Sequence, residues 1–203
     1  MPTVAIIGAH GKIGPRLVRL LAQQGDKAVG IVRRPEQVRA IERLRGADAV
    51  VFSAGAGARS GAARKRTVDY GGSVLAQAAA PLAGVHRFIQ VSGMGVDDPV
   101  NPDAGDWAAY VRAKSDADRR LRESDPHWTV LRPGALTDGA DTGRVRPAEP
   151  TGSGSVSRDD VAQLIVACLD DPASAGHQWE VRAGSTPITE AVTEQSHSLG
   201  SAS

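Results

Sequence analysis

The sequence predicts an α/β fold, a doubly wound and largely parallel sheet in a single domain, and three observations carry that prediction. A short apolar run, Val4-Ala5-Ile6-Ile7, leads into glycines at 8, 11 and 14 and then into a helical pattern of Leu17, Val18, Leu20 and Leu21. Later runs such as Ala49-Val50-Val51-Phe52 and Phe88-Ile89-Gln90-Val91 are nearly continuous rather than alternating. Strands covered on both faces read that way, whereas a half-solvated strand alternates. Segments of helical period separate the runs, as crossovers between parallel strands require.

In chain order, strands are expected near 3–8, 28–32, 48–53, 87–92, 128–132 and 178–183, and helices near 12–24, 35–46, 62–80, 106–124 and 158–170. Pro15 falls in the first turn of the first helix, where its missing N–H costs little. Asp106 is the expected N-cap of the fourth helix and Ser157 of the fifth, because their short side chains accept from orphan N–H groups. Residues 137–157 are rich in Gly, Pro, Asp, Thr and Ser and read as a loop over a site. From Glu190 onward the chain reads as disordered. The domain is therefore expected over 1–189 and a tail over 190–203, with no repeat and no second domain.

At 203 residues, 41% hydrophobic and 23% charged, the chain can bury one sizeable core. A net charge of +1 supplies no bulk attraction to nucleic acid or a membrane surface. An aromatic content of 3% leaves little for stacking single-stranded bases. One cysteine, Cys168, rules out an internal disulfide and a zinc cluster, and its apolar helical setting reads as core. His86, His127 and His177 lack ligand spacing, so no metal is expected. No apolar stretch is long enough for a bilayer, and the N-terminal run lacks a basic leader, so a cytoplasmic setting is expected.

The glycine spacing after the first strand has a chemical reading. The first glycine permits a tight turn, the second admits a pyrophosphate against the backbone, and the third lets the helix pack close to the strand. N–H groups of the first helical turn then face the anion. His10 lies in this loop, either touching the pyrophosphate or simply exposed. Arg33 and Arg34 follow Ile31-Val32 at the end of the second strand. An acidic residue there selects NAD through the ribose hydroxyls, while an arginine fork accommodates the 2′-phosphate of NADP, so NADP(H) is the expected cofactor. Tyr110 and Lys114 stand four residues apart, on one face of a helix, and Ser92 ends a strand at the carboxyl edge where such sheets bind ligands. Arg64, Lys65 and Arg66 form a basic run that either approaches a phosphate or makes a solvated face. Asp97, Asp98, Asp103 and Asp106 lie in a loop over the site without a paired-carboxylate signature.

Together these segments resemble an atypical short-chain dehydrogenase/reductase. They are Gly8-Ala9-His10-Gly11-Lys12-Ile13-Gly14, Val32-Arg33-Arg34-Pro35-Glu36-Gln37, Ala47 through Gly55, Phe88 through Ser92, Tyr110-Val111-Arg112-Ala113-Lys114, Thr129 through Gly134 and Ser157-Arg158-Asp159-Asp160-Val161. The likeness runs from about residue 3 to about residue 188. It is closest to bacterial NAD(P)-binding, sugar-epimerase-like proteins and more distant from NmrA-like regulators and biliverdin/flavin reductases. The resemblance implies a Rossmann-type sheet and a cofactor set of Gly8, His10, Gly11, Lys12, Ile13, Gly14, Arg33, Arg34, Ala54, Gly55, Ser92, Lys114, Pro133 and Gly134. It implies that Ser92, Tyr110 and Lys114 act together in catalysis. The tyrosine exchanges a proton with the substrate oxygen, its pKa lowered from about 10 by the neighbouring ammonium and the oxidised nicotinamide. The serine would polarise the carbonyl. One departure stands out: the third strand of the family is missing between Pro35 and Ala49. It is an edge strand, so the core survives. The crossover helix would lie on the face opposite the first helix, and the adenine pocket would lose a wall.

Three functions fit this reading. The first is an NADPH-dependent oxidoreductase acting on a small carbonyl or quinone-type substrate. The second is a redox sensor that holds NADP without turnover. The third is an epimerase-like enzyme. A small-molecule substrate and a monomer or homodimer are expected in each case.

Overall fold

In the computed structural model, residues 1–31, 37–57, 60–124, 127–148 and 152–198 are described. Six strands form a parallel array: β1 (Thr3–Ile7), β2 (Lys27–Ile31), β3 (Ala49–Phe52), β4 (Arg87–Val91), β5 (Trp128–Pro133) and β9 (His177–Ala183). Two antiparallel strands, β7 (Arg144–Ala148) and β10 (Thr186–Pro187), extend it beyond β9. The sheet order is β10-β7-β9-β5-β4-β3-β1-β2. A separate parallel pair joins β6 (Ala135–Thr137) to β8 (Ser155–Ser157).

The helices are α1 (Gly14–Gln24), α2 (Gln37–Leu44), α3 (Ala62–Lys65), α4 (Ser73–Leu82), α5 (Asp106–Arg122), α6 (Arg158–Asp170) and α7 (Ile188–Ser198). Each face of the sheet has its own apolar cluster. On one, Leu17 and Leu21 of α1 meet Leu164, Ile165 and Cys168 of α6 over Val4, Ile6 and Ile89. On the other, Ala40 and Leu44 of α2 meet Ala76, Ala79 and Ala80 of α4 over Ala5, Val50 and Phe52. The alternation Val4, Ala5, Ile6 thus serves both clusters, which is why the strand is apolar throughout. Cys168 is fully buried, as expected.

Among the described residues, no strand stands between β2 and β3 in the chain. β2 ends the sheet, and the chain returns through α2 to β3 on the far side of β1. α1 and α2 therefore cover opposite faces, as right-handed crossovers running in opposite directions along the sheet must.

Four expectations are corrected. The stretch 137–157 is not all loop: Val145 of β7 is fully buried beside β9, and β8 pairs with β6. These strands are too short to show a period. The tail is not disordered from Glu190: α7 runs to Ser198, with Ile188, Ala191 and Val192 buried at i, i+3, i+4 spacing. The expected helix over 62–80 is broken by a π-helical segment, Arg66–Gly72, between α3 and α4. Asp106 does not cap α5. Gly105 holds that position, and the Asp106 carboxylate accepts from the Gly61 N–H at 3.1 Å, tying the start of α3 to α5. Ser157 does cap α6, its Oγ accepting from the Asp160 N–H at 2.9 Å. Among the described residues, no helix is long and apolar enough to cross a membrane.

Candidate functional site

The carboxyl ends of β1, β2 and β3 open into a cleft of about 630 Å³. Its floor is the glycine loop. Gly8 has φ +100°, and a Cβ there would stand 2.6 Å from the Ala54 N. A Cβ at Gly14 would stand 2.5 Å from Ala9 and Gly8 backbone atoms, so α1 can approach β1 only without a side chain. Gly11 is different: a Cβ would meet the Gly8 carbonyl at 3.1 Å and, in ordinary contact, the Ser53 carbonyl at 4.0 Å, and the residue lines the cleft. No side chain caps α1; Pro15 carries no N–H, and the Arg16 and Leu17 N–H groups donate to the Ile13 carbonyl at 3.0 and 3.1 Å.

His10, Ala54 and Gly55 line the cleft with Gly8 and Gly11. Lys12, Ile13 and Gly14 do not. The Lys12 ammonium is exposed and 3.6 Å from Asp138, Ile13 is buried, and Gly14 lies under Ala9. Arg33 and Arg34 lie outside the described residues. The apolar wall comes from Ile31, Ala40, Leu44 and Leu75, so α2 supplies a wall where a third strand is missing. The basic run divides. Arg64 lines the cleft, while Lys65 is buried with its ammonium on the Gly57 carbonyl at 3.2 Å. Among the described residues, no carboxylate lines the cleft, which suits an anionic ligand.

Beside this cleft the structure brings together Ser92, Tyr110 and Lys114, each in an altered state. The Tyr110 hydroxyl rests against Gly93, 2.6 Å from where a Cβ would be. Among the described residues, no hydrogen bond holds it. The Tyr110 ring stacks on Trp107 with centroids 5.4 Å apart, and the Lys65 ammonium lies 5.5 Å from its centroid. Burial pushes the phenol up to about 12, with Asp69 and Asp118 adding to the rise. The expected lowering by Lys114 is therefore corrected: the ammonium is spent elsewhere. Lys114 Nζ donates to the Val91 carbonyl at 3.0 Å and lies 3.7 Å from Asp69, and burial lowers its pKa. Asp69, on the π-helical segment, also accepts from the Ala56 N–H at 3.1 Å, which links Lys114 to the cleft wall. π-helical turns often place such functional groups.

Ser92 Oγ donates to Asp118 at 2.7 Å, so its proton is engaged within the protein. Pro133 accepts from the Met94 N–H at 3.0 Å. Gly134 presses on the Gly154 carbonyl, which leaves no room for a side chain. Neither lines the cleft.

Comparison with known proteins settles the family. The NAD(P)H-binding family profile matches residues 40–172. The chain is 34% identical over 210 residues to the "Uncharacterized sugar epimerase YhfK" of Bacillus subtilis, covering 93% of this chain and 98% of that protein. The chain belongs to the NAD(P)H-binding family. Its fold superposes on the "Putative NAD-dependent epimerase/dehydratase" of Bacillus halodurans with a TM-score of 0.87, at 31% identity, covering 96% of this chain and all of that one. The oxidoreductase ylbE of Lactococcus lactis gives 0.82 at 27% identity, covering 95% of each chain.

In this NAD(P)H-binding domain, sequence reasoning missed the group that holds Ser92. Asp118 is completely buried and accepts from Ser92, from Gln90 Nε2 at 2.5 Å and from Arg132 Nε at 2.9 Å. Burial pushes its carboxyl up, and the Arg132 charge opposes the rise. Arg132 also donates to Asp97 Oδ2 at 2.8 Å. One signal was available: Asp118 lies four residues after Lys114, on the face that carries both Tyr110 and Lys114.

Proposed function

We propose that this NAD(P)H-binding protein is an NADPH-dependent oxidoreductase that reduces a small carbonyl or quinone-type substrate. The Tyr110 hydroxyl carries the reading. It is neutral, has no hydrogen-bond partner among the described residues, and sits at the carboxyl edge of β4 beside the cleft. The cleft suits a dinucleotide: Gly11 and the uncapped start of α1 would take the pyrophosphate, and the wall from Ile31 to Leu75 the adenosine half. When bound, the reduced nicotinamide supplies a hydride for the carbonyl carbon. Tyr110 donates the proton to the carbonyl oxygen, so the substrate gains two electrons and two hydrogens. A phenol held near 12 suits this acid role and not that of a base. Asp69 and Val91 hold Lys114, one helical turn after Tyr110 on α5. Arg33 and Arg34 support NADPH over NADH.

A second reading, a sensor that binds the cofactor without turnover, is favoured by the engagement of Ser92 with Asp118. The names of the relatives suggest a third, an epimerase. One assay separates them, with NADPH oxidation followed over a panel of carbonyls and quinones. Turnover that Tyr110→Phe abolishes supports the reductase. Binding without turnover supports the sensor, and hydride exchange without net NADPH loss the epimerase. In the same preparation, Arg33→Ala with Arg34→Ala weakens NADPH more than NADH, and equal losses would refute the NADP preference.

A further inference from the structure

The glycine loop meets only part of the charge that a dinucleotide would bring. Its Gly11 N–H is already taken by the Gly8 carbonyl at 2.8 Å, and the Arg16 and Leu17 N–H groups are taken by Ile13. The cations next to the loop are drawn away as well: Lys12 lies 3.6 Å from Asp138, and Arg16 pairs with Asp159 at 2.8 Å. Among the described residues that line the cleft, Arg64 is the one lysine or arginine. It is exposed, and no carboxylate pairs with it among the described residues. The backbone around it is fixed by three contacts. The Gly61 N–H donates to Asp106 at 3.1 Å, Thr67 Oγ donates to the Arg64 carbonyl at 3.2 Å, and the buried Lys65 ammonium donates to the Gly57 carbonyl at 3.2 Å. Successive residues of α3 thus serve two places: Arg64 lines the cleft, and Lys65 lies 5.5 Å from the centroid of the Tyr110 ring. A fixed backbone lowers the cost of ordering a long side chain on a ligand.

We propose that Arg64 is a phosphate-binding residue of the cleft, its guanidinium taking phosphate oxygens of the dinucleotide and supplying the positive charge that the glycine loop lacks. The inference rests on the NADPH-dependent reading of this same cleft. A guanidinium suits the position, because its planar fork of N–H donors can bridge two phosphate oxygens and it stays charged at any working pH. The surroundings add to the attraction. The cleft wall is largely apolar, and no carboxylate among the described residues lines it, so nothing nearby competes for the guanidinium. Two groups of NADPH offer the same chemistry, the diphosphate and the 2′-phosphate, and NADH carries only the first.

The test is calorimetric titration of NADPH, and separately of NADH, into the full chain as wild type, Arg64→Gln and Arg64→Lys. Arg64→Gln is expected to weaken NADPH about tenfold, and Arg64→Lys less, because a point charge remains. An equal loss for NADH assigns the contact to the diphosphate, and a loss confined to NADPH assigns it to the 2′-phosphate. The thermal unfolding midpoint should stay at the wild-type value in both variants, since the residue is exposed. An Arg64→Gln protein that binds NADPH as wild type does would overturn the proposal. So would a loss of affinity that comes with a lowered unfolding midpoint and is no smaller in Arg64→Lys, since Arg64 would then act through the packing of α3. Failure of the oxidoreductase reading looks different: cofactor binding stays dependent on Arg64, but no carbonyl or quinone is reduced.

Discussion

The Tyr110 hydroxyl occupies the space that a side chain at residue 93 would fill, 2.6 Å from the Cβ position of Gly93. Neighbouring Val96 closes the same space at 3.4 Å. The glycine after Ser92 is thus part of the seat of the tyrosine.

Gly93→Ser should displace the phenol. The added atoms force an overpacked rearrangement costing on the order of 1–3 kcal/mol. Thermal unfolding should register that loss, while NADPH titration stays near wild type because the glycine loop is untouched. Turnover should fall with the displaced hydroxyl. A variant with wild-type turnover would mean that the position of Tyr110 does not matter.

The protonation of Tyr110 gives a pH test. Its folded-state pKa is about 12, above the ordinary phenol value of 10.0. The neutral form is therefore favoured by the fold. The associated stability is fully present below the unfolded value and is lost as pH rises from about 10 to about 12. A proton donor in this state stays loaded through neutral pH, so the turnover number should show no alkaline fall between about pH 6 and pH 9 from this group. Tyr110→Phe should lower turnover by about 10²–10⁴-fold with NADPH affinity retained. A pH–rate profile falling with an apparent pKa near 8 would remove Tyr110 from the acid role.

The glycines of the first loop should separate by phenotype. At Gly14, a methyl meets fixed backbone atoms at 2.5 Å, so Gly14→Ala should destabilise the fold by about 1–3 kcal/mol in urea unfolding. At Gly11, the one tight contact is the Gly8 carbonyl at 3.1 Å, and the residue lines the cleft. Gly11→Ala should leave stability within about 1 kcal/mol of wild type but weaken NADPH binding roughly tenfold. The opposite pattern would place the dinucleotide elsewhere.

Asp118 should behave as the keystone of a buried network. Asp118→Asn keeps the shape but puts an N–H group against donors from Ser92, Gln90 and Arg132. Breaking a buried ion pair costs about 3–5 kcal/mol, whereas Ser92→Ala removes one hydrogen bond for about 1–2 kcal/mol. Chemical denaturation of the two single variants and the double variant measures the coupling, and additive losses would show that the pair is independent.

Much of this arrangement could be read from residues close together in sequence. Continuous apolar runs identified six of the ten strands among the described residues, and the glycine spacing located the loop at the start of α1. Both signals are short-range, because strand burial and helix packing leave a period within a few residues. The missing edge strand was legible only against the pattern of the family the segments resemble, which has a strand between Pro35 and Ala49. β7 and α7 were not legible: the first is defined by pairing with β9, the second by three apolar residues against a core assembled elsewhere.

Residue type and spacing along the chain placed Ser92, Tyr110 and Lys114 near one edge of the sheet, and that much needed no coordinates. Their chemical states came from contacts across the fold. Ser92 meets Asp118 from 26 residues away, Lys114 meets Val91 from 23, and Asp69 meets Ala56 from 13. Burial by those distant segments raised the phenol instead of lowering it. A pKa depends on desolvation and on charges a few ångströms away in space, and neither quantity is written in the local order of residues.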